Sequence, residues 1–204
     1  MLKILGRKTS SNVQKVLWCC AELNIPFVRE DVGGPFGKND QPEYLRLNPN
    51  GLVPTIDDDG FVLWESNAIV RYLCAKHGAG TLCPDDIAVR ADADRWMDWQ
   101  QTTVAPPMGI LFRASLKSPP DDIARTEVDA ATKRAAGVWR ILDTHLMQRP
   151  FVAGNDVTMG DVALGNAIHR WFKLPLERPE LPHLAQWYAR LGARPAYREH
   201  VMSV

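Results

Sequence analysis

The hydrophobic period of the chain changes once, and that change limits the possible folds more than any other feature. Up to residue 78, apolar runs of strand length alternate with helical stretches; beyond residue 87 only helical spacing recurs. Leu2 to Leu5 is a short apolar run. Ser11 opens a helical pattern with Val13, Val16, Leu17, Cys20 and Leu23 on one face, and Asn24-Ile25-Pro26 closes it. Ser11 with Gln14 three residues on has the form of a capping box, which makes Ser11 the expected N-cap. Phe27 to Val32 reads as a second strand, giving β-α-β with a parallel pair and one crossover helix. A short helix is expected over 42–47, then a turn at Asn48-Pro49-Asn50-Gly51. Two apolar runs, 52–56 and 61–64, flank an Asp/Gly turn and predict a β-hairpin. Ser66 starts another helix, with Ile69, Val70, Leu73 and Cys74 on one face.

Residues 79–87 carry glycine, proline and two aspartates and read as a linker. The helical patterns after it run over 88–112 (interrupted by Pro106-Pro107), 123–146, 156–171, 181–191 and 195–201. The expected architecture is therefore an α/β domain over 1–78, a linker over 79–87 and an all-α domain over 88–204.

Composition narrows the function. The chain has 24 basic and 24 acidic side chains, and this balance argues against a nucleic-acid surface, which shows as a basic excess. No stretch approaches the roughly 20 apolar residues of a membrane span, and Met1 to Leu5 is too short for a signal peptide. The four cysteines, Cys19, Cys20, Cys74 and Cys83, form no C-x-x-C and no metal-ligand spacing, so they are expected to be buried thiols in a reducing cytoplasm, with no metal bound.

Two segments carry chemistry. In Asn50-Gly51-Leu52-Val53-Pro54 the proline stands where a strand begins. A cis Val53-Pro54 bond would turn the main chain of Val53 outward, toward a peptide-like ligand; a trans proline would merely start an edge strand. In Trp64-Glu65-Ser66-Asn67 a strand gives way to a helix, whose first N–H groups and positive dipole end suit a carboxylate. Ser66 adds a hydroxyl and Glu65 a charge that can hold an ammonium, so the pair fits a zwitterionic amino-acid group. A plain N-cap and a solvated glutamate would explain the same two residues.

Taken together, Asn50-Gly51-Leu52-Val53-Pro54, Glu65-Ser66-Asn67-Ala68-Ile69 eleven residues after the proline, and Arg71-Tyr72-Leu73 resemble the glutathione transferase family. Thr158-x-x-Asp161, flanked by Val157 and Val162, is similar to the capping box of that family's helical domain. The resemblance spans essentially the whole chain. It implies a thioredoxin-like N-terminal domain, a cis Pro54, and glutathione held by Val53, Pro54, Glu65 and Ser66. The family activates the glutathione thiol with a Tyr, Ser or Cys after the first strand. No Tyr or Cys lies between Leu5 and Cys19, so the chain is closest to the serine-type or the bacterial Thr/Asn-type classes. On that resemblance Ser10 is the hydroxyl residue, Ser11 and Asn12 are the neighbouring candidates, and Asn12 can donate a second hydrogen bond.

Other assignments follow the resemblance. Lys38 either reaches the glycine carboxylate of glutathione or is a solvated lysine. Trp99, Met108, Leu111, Phe112 and Arg113, with Trp96 and Gln100 nearby, either line a pocket for an apolar electrophile or are ordinary helix packing. The five histidines lack ligand spacing. The implied protein is a cytoplasmic homodimer that conjugates glutathione, its co-substrate, to small electrophiles in detoxification, with no nucleic-acid or membrane partner. The alternatives are a glutathione-dependent disulfide or peroxide reductase on the same fold, and a non-catalytic binding module.

Overall fold

The computed structural model describes residues 1–115 and 122–203. These form two compact units, Met1–Asp85 with the segment from Arg194 onward, and Asp86–Ala193.

The first unit is built on a four-stranded sheet of order β2-β1-β3-β4, from β1 (Leu2–Leu5), β2 (Phe27–Glu30), β3 (Thr55–Asp58) and β4 (Phe61–Trp64). β1 and β2 are parallel, joined by the crossover helix α1 (Ser11–Glu22) as the β-α-β reading requires, and β3 runs antiparallel to both β1 and β4. The hairpin turn is Asp59-Gly60, both at positive φ, with the Gly60 N–H donating to Asp57 Oδ1 at 2.7 Å. That conformation matches strand twist and favours glycine at its second position. A short α2 (Pro42–Leu45) precedes β3, and α3 (Ser66–His77) follows β4. Leu2 and Ile4 of β1, Ile56 of β3, Val13, Val16 and Leu17 of α1, and Ile69, Val70 and Leu73 of α3 form the buried core.

Every residue of α1 from Val13 to Cys20 is buried, far more than a single apolar stripe would give. The reason lies at the other end of the chain. Helix α9 (Pro195–Tyr197) and the π-helical turn Arg198–Met202 pack on α1. Tyr197 meets Trp18 edge-on at 4.7 Å, and Arg194 pairs with Glu22 at 2.6 Å. The sequence reading placed everything after residue 87 in the helical domain; these contacts put the segment from Arg194 onward with the sheet instead.

The second unit holds α4 (Ile87–Trp99), α5 (Ala105–Ser115), α6 (Asp122–His145), α7 (Met159–Lys173) and α8 (Pro182–Gly192) around a core that includes Trp139, Leu142, Leu164, Trp171 and Trp187. Asp86 caps α4 by accepting from the N–H groups of Ala88 and Val89. The expected break at Pro106-Pro107 falls earlier, as the π-helical turn Gln100–Val104. The prolines themselves occupy the first turn of α5, where a missing N–H is tolerated. Thr158 and Asp161 make the expected capping box at the start of α7.

Candidate active site

The strand register builds the site. Leu5 lies opposite Glu30 on β2 and Thr55 on β3, and Thr55 lies opposite Trp64 on β4. Those four residues form one row across the sheet. The chain leaving β1 (Gly6 to Ser10), entering β3 (Val53-Pro54) and leaving β4 (Glu65-Ser66) therefore meets along one sheet edge. Gly6 permits that meeting: a Cβ there would stand 2.5 Å from Val13 Cγ2 and 3.3 Å from Val53 Cβ.

At the first segment the structure corrects the sequence reading. Ser10, not Ser11, is the N-cap of α1: its backbone is extended (φ −80°, ψ 124°) and its carbonyl accepts from Gln14 N–H at 2.9 Å. Ser11 is already the first helical residue, so the box with Gln14 does not form; the buried Gln14 side chain belongs to the body of the helix. Ser10 makes no side-chain capping bond. Its hydroxyl is half-buried at the positive end of α1, Ser11 is half-buried and Asn12 is exposed.

At the second segment the Val53-Pro54 bond is cis. A buried polar cluster holds the preceding residue. Tyr44 Oη donates to the Leu52 carbonyl at 2.6 Å and Asn48 Nδ2 to the same oxygen at 2.8 Å; both also bond Thr55 Oγ1, at 2.9 and 3.2 Å. Lys38 sits at φ 68° with its Nζ 2.9 Å from Glu30 Oε1, an exposed ion pair. It borders a pocket of about 270 Å³ whose walls include Leu5, Val32, Tyr44 and Leu47.

At the third segment Glu65 has φ 71° and ψ 111°, a conformation that costs a non-glycine residue roughly 1–3 kcal/mol. It is exposed, whereas Ser66 and Asn67, the first two residues of α3, are buried. Beneath them lies a residue that the sequence did not single out. Lys15 of α1 is buried, and its Nζ donates to Asn67 Oδ1 at 3.2 Å and Ser66 Oγ at 3.5 Å. Burial pushes its ammonium down to about 7, against the upward pull of the Glu65 carboxylate. Lys15 reads as a polar-face residue in an amphipathic helix; only the covering of α1 from all sides reveals it. Tyr44, Asn48, Thr55 and Asn67 were likewise missed, since single polar residues near turns carry no local signature.

In the helical unit, Met108 and Leu111 are buried and serve its core. Trp99 and Phe112 are half-buried and Arg113 is exposed. The Arg170 guanidinium lies 3.5 Å above the Phe112 ring, and Trp99 packs edge-on against Trp96 at 5.0 Å. Trp99 is separated from the other four by the π-helical turn. All four cysteines are buried free thiols. Among the described residues there is no cluster of His, Cys, Asp or Glu that could hold a metal ion, and no helix long and apolar enough to cross a membrane.

Comparison with known proteins decides the family. The family descriptions "Glutathione S-transferase, N-terminal domain" and "Glutathione S-transferase, C-terminal domain" match residues 9–76 and 125–190. The chain belongs to the glutathione S-transferase family. It is 37% identical to the glutathione S-transferase GstB of Escherichia coli (strain K12), over 99% of this chain and 98% of that protein. A theta class glutathione S-transferase from Xanthomonas axonopodis pv. citri, solved with glutathione bound, is 46% identical with a TM-score of 0.94, covering 100% of this chain and 98% of that one. A more distant likeness, 28% identical over 86% of this chain and 82% of the relative, is to the disulfide-bond oxidoreductase YfcG of Escherichia coli (strain K12). The transferase architecture, a small mixed sheet domain with a helical domain, is the one described above.

Proposed function

We propose that this transferase binds glutathione along the edge of the sheet where Ser10, Val53 and Ser66 stand, and conjugates its thiolate to small electrophiles in the cytoplasm. The observation that carries the reading is the single cross-strand row that brings the three segments together. Val53 beside the cis proline offers its main chain to the cysteinyl residue of the tripeptide. Glu65 faces the γ-glutamyl ammonium, and the start of α3 with Ser66 takes its carboxylate. Lys38, freed from Glu30, serves the glycine carboxylate. Trp99, Phe112 and Arg113 are the side chains left accessible for the electrophile.

Ser10 completes the chemistry. A thiol of pKa near 8.5 needs about 2.7 kcal/mol to fall to roughly 6.5. One hydrogen bond to a charged group supplies roughly 1.5–3 kcal/mol and a helix N-terminus roughly 0.3–2 kcal/mol. A hydroxyl that caps nothing, placed at the start of α1, meets both conditions without acting as a base. Calorimetry tests the binding half of the reading: glutathione should bind the native protein and bind the Glu65→Ala/Ser66→Ala variant at least tenfold more weakly. Equal affinities would refute it.

The likeness to YfcG favours one second reading, reduction of glutathione mixed disulfides at the same site. Steady-state rates on an aryl halide and on a small symmetric disulfide separate the two. We further propose a homodimer, supported by the exposed apolar side chains Phe61 and Trp64 on edge strand β4, which an associating copy would cover.

A further inference from the structure

We propose that Lys15 is a positioning residue for the γ-glutamyl carboxylate, acting through Ser66 and Asn67 and taking up a proton from solvent as that carboxylate binds. The inference rests on the proposed glutathione site and deepens it.

The geometry comes first. An ammonium has donors only. Its bonds to Ser66 Oγ and Asn67 Oδ1 therefore occupy acceptor positions, leaving the Ser66 hydroxyl hydrogen and the Asn67 amide hydrogens to point elsewhere. Both side chains become donors at the N-terminus of a twelve-residue helix. That end already carries a partial positive charge, so the helix and the Lys15 ammonium both favour an anion bound there. Burial lowers the pKa of Lys15 to about 7, against the pull of Glu65. A carboxylate bound at Ser66 reverses the balance, because it attracts the protonated form.

Other charged and titratable groups lie near Lys15 on the elements around it. Glu65, at the neck of α3, already pulls the ammonium up and is outweighed by burial. On α1 the nearest charged group further along is Glu22, engaged by Arg194 and Trp18. Cys19, one turn on, is held protonated by its bond to Cys74 and by burial. The segment packed on α1 brings Arg198, Glu199 and His200; burial lowers His200, and its ring stands 3.8 Å from the exposed Glu199.

The test uses S-methylglutathione, which has the γ-glutamyl group but no thiol to ionise. Calorimetric titrations in buffers of different ionisation enthalpy, from pH 6 to pH 9, give the protons taken up per ligand bound. The native protein should take up more protons per ligand bound than Lys15→Met does, with the difference growing from pH 6 to pH 8; uptake by the ligand's own α-ammonium is common to both. Its Kd should rise by up to about tenfold per pH unit above pH 7.5. Lys15→Met should lose the Lys15 part of this uptake and bind about tenfold or more weakly at pH 6.5. Lys15→Arg, which stays charged, should restore affinity and show no Lys15-type uptake. If the native protein binds S-methylglutathione with a Kd independent of pH, or with the same uptake as Lys15→Met, the proposal is overturned. If it does not bind the ligand at any pH, the glutathione site itself is wrong. Should Lys15→Met fail to fold, Lys15→Arg decides: a proton uptake equal to that of the native protein would come from the ligand's own α-ammonium and would overturn the proposal.

Discussion

Two adjacent serines differ in backbone position, and the proposed chemistry rests on that difference. Ser10 ends the extended loop from β1 as the N-cap, and Ser11 is already the first residue of α1. Ser10→Ala should raise the pKa of bound glutathione and lower kcat/KM on an aryl halide roughly 10- to 150-fold. Because that hydroxyl caps nothing, thermal melting should move little, by about 0.5 kcal/mol or less. Ser11→Ala should leave both the thiolate absorbance and the melting temperature close to native; a loss of thiolate in this variant alone would shift the assignment by one residue. The sequence made Ser10 the hydroxyl candidate but placed the cap at Ser11, because Gln14 stands three residues after Ser11 whereas Val13 stands three after Ser10; the pattern misleads, and the extended Ser10 backbone decides. Lys15 was not legible for another reason. Its side-chain partners, Ser66 and Asn67, lie 51 and 52 residues further along the chain, so no local pattern announces its burial. Its folded pKa lies below its unfolded value of 10.5, so between about 7 and 10.5 the unfolded chain holds a proton that the folded chain lacks. Stability should therefore rise with pH across that window in the native protein, and this rise should be missing from Lys15→Met in denaturant titrations.

At the scale of elements, the register of the sheet and the cap of α7 do most of the positioning. Strand and helix placement was largely readable, since apolar runs of four or five residues and helical stripes have distinct periods. Edges moved by a few residues: β3 begins at Thr55, just after the cis proline, rather than at Leu52. The π-helical turn before α5 had no sequence signal beyond the two prolines that follow it. In the capping box, Asp161 is fully buried and accepts from Thr158 N–H and Oγ1, Val152 N–H and Trp187 Nε1. Burial pushes its carboxyl up to about 6 against those four donors. One side chain thus ties the start of α7 to α8 and to the chain at Val152. Asp161→Ala leaves four buried donors unmatched and should destabilise the fold by about 3–5 kcal/mol, read from denaturant midpoints. A loss under 1 kcal/mol would mean that water replaces the carboxylate.

For the whole molecule, the chain forms two compact units, and the proposed function would have the first hold glutathione and the second frame an electrophile. The division itself was visible in the change of period at residues 79–87. The return of the chain end to the sheet unit was not, because the pairing of Trp18 with Tyr197 and of Glu22 with Arg194 is a tertiary contact without local pattern. Sedimentation at micromolar concentration should give about twice the 22.9 kDa of one chain; a value near 22.9 kDa would contradict the proposed dimer. The decisive property is the state of the sulfur. Titrating the thiolate absorbance of glutathione bound to the native protein should give an apparent pKa of about 6.5, roughly two units below the free thiol. A bound thiol that still titrates near its free value of about 8.5 would contradict thiolate activation at Ser10 and, with it, the conjugation mechanism.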